Sequence, residues 1–175
     1  MKKTIITAIA FICSITAFAQ RDYTTLKGLS FGIGIPVECR DLPGMGTTFN
    51  LGYDCAYPVT DNFAVGFYLT GGGGFWNEFK KYSVTDRTHV TFRLTAGVMM
   101  QIGDLDDKPY LAGIAPCTGF GLYDTDMVLP VELRFGKYIS DRWYIMGELT
   151  WHLSLARETA TIEPAIRIGY NFGRK

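Results

Sequence analysis

Three residues near the C-terminal end could do hydrolytic chemistry together: His152 and Ser154, in the run His152-Leu-Ser154, and the acid Glu163. A His that takes the proton of a hydroxyl, with a carboxylate to orient it, is what makes a Ser nucleophilic. A larger set offers different chemistry. Asp54, Glu132, Glu148 and Glu163 against Arg93, Arg134 and Arg167 could line an ion pathway or pair with one another in a packed network. A third possibility is raised by Gly71 to Gly74, between Tyr68-Leu-Thr and Phe75-Trp76, because glycine-rich loops cradle phosphates. That use needs a following helix and usually Lys with Ser or Thr, and neither follows here. His89 has no ligand partner at metal-binding spacing and reads as a loop-side polar residue. No metal and no cofactor is expected.

Whether any of these groups can act depends on the elements that carry them, and those elements alternate. Leu29, Phe31, Ile33, Ile35 and Val37 oppose Ser30, Gly32, Gly34 and Pro36. Seven further runs do the same, around residues 48–57, 63–75, 88–102, 110–120, 127–136, 143–155 and 162–172. A repeat of two argues half-buried strands. Most of these runs reach the ~9–11 residues that a tilted membrane-spanning strand needs, more than the mode of about 5–6 for ordinary strands. Gly71 to Gly74 fall inside the third run and are therefore read as strand. Asp-centred turns at 58–62, 103–108 and 139–141 alternate with longer connections at 38–46 and 77–86, as tight turns and longer loops do in an outer-membrane barrel.

The two ends add a location. Met-Lys-Lys, an apolar run from Ile5 to Phe18 and the A-x-A site Ala17-Phe-Ala19 form a secretory signal peptide over 1–19. No later run approaches the ~18 apolar residues of a spanning helix. The chain of 175 residues fits one domain, and its formal net charge of zero argues against nucleic acid as a partner. Beyond the signal the cysteines are Cys39, Cys55 and Cys117, an odd set without metal spacing; Cys39 with Cys117 is the bridge that could form.

Charge decides which face is inside. No Asp, Glu, Lys or Arg stands on the apolar face of the eight runs, and a Lys or Arg facing lipid at mid-depth costs roughly 2–4 kcal/mol. The opposite face mixes glycines with the seven charged residues named above. An eight-stranded barrel has a lumen just wide enough to be filled by side chains, which suits that mixture and could not hold the aromatic and aliphatic face. By this alternation Cys117 points inward, and Cys55 outward as a small apolar group.

The expectation is an all-β, eight-stranded antiparallel up-and-down transmembrane barrel over 28–172, after a lead at 20–27 and before a tail at 173–175, both periplasmic. The signal ending Ala-Phe-Ala-Gln, the run Tyr138-Ile-Ser-Asp-Arg-Trp-Tyr144 and the ending Ile166-Arg-Ile-Gly-Tyr-Asn-Phe172 resemble the small outer-membrane β-barrels of Gram-negative bacteria, specifically the porin-like barrel-domain family common in Bacteroidetes. The resemblance implies a monomer in the outer membrane among lipid and lipopolysaccharide, with its last strand read by the barrel-assembly machinery. It specifies architecture far more than role.

Within that frame the lumen charges read as a salt-bridge network, since buried charges must be paired to be tolerated, with a narrow small-solute channel as the alternative. His152, Ser154 and Glu163 faintly resemble the end of the lipid A deacylases, although Leu155 stands where those enzymes have Asn. Alternation also points His152 and Ser154 into the lumen, away from any lipid chain. The functional expectation is an envelope-structural or surface-interaction role, with an external partner met through 38–46 and 77–86. A lipid-modifying enzyme is the rival.

Overall fold

A computed structural model describes residues 25–38, 44–80, 83–123, 126–155 and 160–173. The expected signal peptide, most of the 20–27 lead and Cys39 lie outside the described residues.

Ten strand segments make up the fold: β1 (Leu26–Gly34), β2 (Val37–Glu38), β3 (Gly44–Thr60), β4 (Phe63–Lys80), β5 (Ser83–Ile102), β6 (Tyr110–Pro116), β7 (Gly119–Tyr123), β8 (Asp126–Tyr138), β9 (Trp143–Ser154) and β10 (Ala160–Asn171). They build eight staves. β1 and β2 together lie between β3 and β10, and β6 with β7 lies between β5 and β8. Every neighbouring pair is antiparallel, and β1 closes on β10 from Gly28↔Asn171 to Gly34↔Ala165. Around the barrel wall, every described stave is thereby paired on both sides, the condition for a sheet to cross hydrocarbon.

Alternation sorts the side chains as the sequence requires. Leu29, Leu51, Val90, Phe135 and Ile166 face outward and exposed, while Ser30, Asn50, Arg93, Arg134 and Arg167 on the same strands are buried in the lumen. Three tight connections (61–62, 103–109 and 139–142), the start of β1 and the end of β10 gather at one end of the barrel, the turn end. The strand ends on either side of 39–43, 81–82, 124–125 and 156–159 lie at the other, the loop end; those four connections are outside the described residues.

Four local departures from the expected layout have physical causes. The strands extend through most of the loop expected at 77–86: Phe79 pairs with Val84 and Lys80 with Ser83 beyond a bulge near Glu78. The charges of Asn77-Glu-Phe-Lys80 break the apolar alternation without breaking the backbone ladder. β1 begins at Leu26, two residues before the expected start, because Leu26 packs into the lumen opposite Ala56. The turn 103–109 is not merely a connector. Its Leu105 is buried in the lumen, and the Leu105 N–H donates to the Asp61 carbonyl at 3.2 Å.

The fourth departure is Cys117, which is exposed and not inward. Between the pairs Thr95↔Gly119 and Val98↔Ile114, two residues of β5 face four residues, 115–118. The two extra residues form a bulge at which Cys117 takes φ 58°, and an even insertion keeps Leu111, Gly113 and Gly121 inward on either side. Cys117 carries a free thiol. Cys55 faces outward by register but is covered, at 2% exposure, beside Tyr53 and Tyr57.

The four glycines of β4 are regular strand, paired with Phe49, Asn50, Leu51 and Thr48 on β3 and with residues 91–94 on β5. At Gly72 a Cβ would run into the Asn50 carboxamide and the Phe49 carbonyl. The position is glycine because the wall is crowded there, not because a ligand approaches.

Candidate functional site

The seven charged residues expected in the lumen stand on five strands, each at an inward position, and converge on one layer. Its centre is Glu148 on β9. The Arg93 guanidinium of β5 donates to Oε1, and Arg167 Nε of β10 donates to Oε2 at 2.9 Å. Arg134 of β8, directly across the ladder from Glu148, puts Nε 3.3 Å from the same Oε2. Arg134 also reaches Glu132 Oε1 at 2.5 Å and Asp54 Oδ1 at 3.3 Å. Glu163 completes the set 3.5 Å from Arg93. All seven are almost fully buried, at 4% exposure or less. Charges so far from water persist only when paired and hydrogen-bonded.

Neutral inward groups complete these bonds, and nothing but parity marks them in the sequence. Thr70 Oγ1 accepts from Arg134, Ser30 Oγ accepts from Arg167 at 3.1 Å, and Thr150 Oγ1 accepts from Arg93 at 2.7 Å. The Tyr144 hydroxyl donates to Asp54 at 2.6 Å, and Arg134 lies 3.7 Å over the Tyr68 ring, a cation–π contact. Both rings fit because their cross-strand partners are glycines. Tyr68 pairs with Gly97 and Tyr144 with Gly169, and a Cβ at either glycine would strike the ring.

On the loop side of this layer, His152 and Glu163 come together, with Nε2 3.0 Å from Oε2. Glu163 Oε1 also accepts from Thr48 Oγ1 at 2.6 Å and Asn50 Nδ2 at 3.4 Å. Ser154 sits at the loop-side end of β9, half-buried, opposite Val128. The space beside the His152–Glu163 pair, bounded by Thr48, Asn50, Gly72, Thr91 and Arg93, is too narrow for a water molecule. His89 lies within the loop-side half of β5, opposite Trp76.

On the turn side the lumen is closed by an apolar layer that includes Leu26, Met99, Leu105, Leu111, Tyr144 and Met146. Leu105 was unforeseen, because its turn reads as polar. A hydrogen-bonded chain backs this layer: Gln101 donates to the Tyr138 hydroxyl at 3.1 Å, and Asn171 donates to it at 2.8 Å.

No family model matches the chain, and no curated protein does. Solved structures do. The attachment invasion locus protein Ail of Yersinia pestis aligns with a TM-score of 0.58 at 13% identity, over 83% of this chain and 97% of that one. The outer membrane enzyme PagL aligns at 0.56 and 8% identity, over 82% and 99%. The fold is that of an outer-membrane β-barrel. A second structure of Ail, in complex with the heparin analogue sucrose octasulfate, aligns at 0.55 and 10% identity over 86% of this chain and 99% of that one. An attachment protein and an enzyme share this architecture, so the barrel itself selects no role. It does fix the surroundings: the outward apolar band belongs in the outer membrane.

Proposed function

We propose that this protein is a monomeric, non-conducting outer-membrane barrel whose turns and termini face the periplasm, and that its role is envelope-structural or surface-interacting at the loop end. The observation that carries this reading is the lumen. A paired charge layer and an apolar layer lie in series across it, and a small barrel with a filled interior leaves no wet path. The β4–β5 ribbon supports the surface part. β5 from Ser83 to Val90 has β4 as its ladder partner, whereas its other neighbour, β7, reaches only to Thr91. The ribbon therefore continues past the neighbouring stave.

Around the barrel the partners proposed are lipid and lipopolysaccharide, with the ending Ile166 to Phe172 presented to the barrel-assembly machinery. That ending is also what supports a place among porin-like barrels of the Bacteroidetes type. Reconstitution into planar bilayers tests the central claim. The expected result is no single-channel current from protein whose gel mobility shifts on boiling; steady unitary current would support the channel instead.

The hydrolase reading has one observation in its favour, the 3.0 Å contact of His152 with Glu163. Against it stand the lumenal position and the lack of room beside the pair. Mass spectrometry of lipid A from cells with and without overexpression separates the two readings, and an unchanged acyl pattern is expected.

A further inference from the structure

The lipid-facing wall is not uniformly filled. Across β6, β8, β9 and β10 one outward row reads Ala112, Phe135, Gly147, Ile166. Phe135 stands out from this row at 64% exposure between two small residues. Its ring stacks on that of Tyr110 at 6.0 Å, and two grooves beside it meet over Gly147. One runs from Met100 and Ala112 past Leu133 to Gly147, Leu149 and Pro164 and has about 770 Å³. The other, over Gly147 and bordered by Tyr110, Ile145 and Ile166, has about 340 Å³.

The smaller groove is headed by a charge. Lys137, one outward position toward the turn end from Phe135, is exposed and lines it. It is one of few cations on the outward face, and among the described residues no carboxylate pairs with it. A lysine on that face is nearly free of cost only at the interface, where its stem lies along apolar surface and its ammonium reaches the headgroups. Aromatic residues put the interface at the same level. Tyr110 is Lys137's ladder partner, and Trp143 packs on Tyr170 at 5.1 Å, with Arg142 donating to the Tyr170 hydroxyl at 3.0 Å.

We propose that this wall binds one glycerophospholipid, its phosphate at Lys137 and its acyl chains in the grooves that meet over Gly147 beside Phe135. The occupant is a phospholipid and not lipid A because the cation lies at the turn end. That assignment rests on the orientation proposed above, in which the turn end faces the periplasmic leaflet. The chains enter grooves that two small residues leave open. The ammonium supplies the anion contact that bulk lipid packing alone would not make selective.

Native mass spectrometry of the folded barrel in detergent, titrated with dioleoyl phosphatidylglycerol, tests the site. The expected result is a saturable one-to-one adduct. Lys137→Ala should weaken it about fivefold, as for one interfacial lysine, and the wild type should bind uncharged dioleoylglycerol correspondingly less well. Gly147→Leu should abolish the adduct. It should also fold, because a Cβ there meets nothing nearer than the Phe135 carbonyl at 3.9 Å. The proposal is overturned by the absence of a discrete adduct, by wild-type occupancy in both variants, or by equal binding of the uncharged lipid. Preferential retention of lipid A would overturn the phospholipid assignment. Labelling of Ser140→Cys on intact cells, in a chain whose native cysteines are replaced by Ser, tests the orientation separately, through a turn residue that lines neither groove.

Discussion

Glu148 is the residue on which the lumen depends, because three guanidinium groups meet its carboxylate. Removing one partner of a buried ion pair typically costs about 3–5 kcal/mol, since the remaining charges stay buried without compensation. Glu148→Gln keeps the volume and one acceptor but takes a shared carboxylate from Arg93 and Arg134 and leaves Arg167 without a carboxylate partner among the described residues. The expected outcome is a loss of roughly that size, read as a lower urea midpoint for unfolding from lipid vesicles; an unchanged midpoint would mean that the arginines are satisfied without it. The sequence shows that Glu148 is charged and inward, because a period of two assigns faces whatever the pairing. It does not show the hub. Which charge meets which depends on register, and alternation is unchanged when two strands slide by two residues. Arg134 lies opposite Glu148 only because β8 and β9 are joined by the short turn 139–142.

At the scale of elements, the staves were legible and their irregularities were not. The run 110–120 alternates through the bulge because an insertion of two residues leaves parity intact, so the bulge has no periodic signature. Its one trace is a side chain on the wrong face, Cys117, and φ 58° there is a backbone conformation that non-glycine residues rarely take. Glycine adopts it without the Cβ penalty, although it loses more chain entropy on folding. Cys117→Gly should therefore be neutral to stabilising, up to about 1 kcal/mol, in the same vesicle unfolding assay. Clear destabilisation would mean that the thiol or its Cβ contributes packing at the bulge. The ribbon of β4 and β5 hid for the opposite reason. Its outer pairs, Phe79 with Val84 and Lys80 with Ser83, are held by backbone bonds, and a polar ladder beyond the membrane needs no apolar face to mark it.

For the whole molecule, what matters is that the two closures of the lumen are built differently and lie in series. The central one is electrostatic, with side chains from β3, β5, β8, β9 and β10 locked by one another. The turn-end one is apolar, and a connector residue, Leu105, is tucked into it by the bonds of Leu105 and Gly103 to the carbonyls of Asp61 and Asn62. Sequence alternation implies the first and turns Met99, Leu111, Tyr144 and Met146 of the second inward, but is silent on Leu105, since a turn residue that folds inward breaks no strand period. If both closures seal the barrel, opening either alone should not conduct. The paired change Arg93→Ala with Glu148→Ala widens the charge layer and leaves Leu26, Met99, Leu105 and Leu111 closing the turn end. Leu105→Gly with Met99→Ala does the reverse. Each double variant should remain silent in planar bilayers while still shifting in mobility on boiling, and the combined quadruple variant should pass small ions. Current from the first double variant alone would show that the apolar layer is not a seal and that the charge layer carries the barrier by itself.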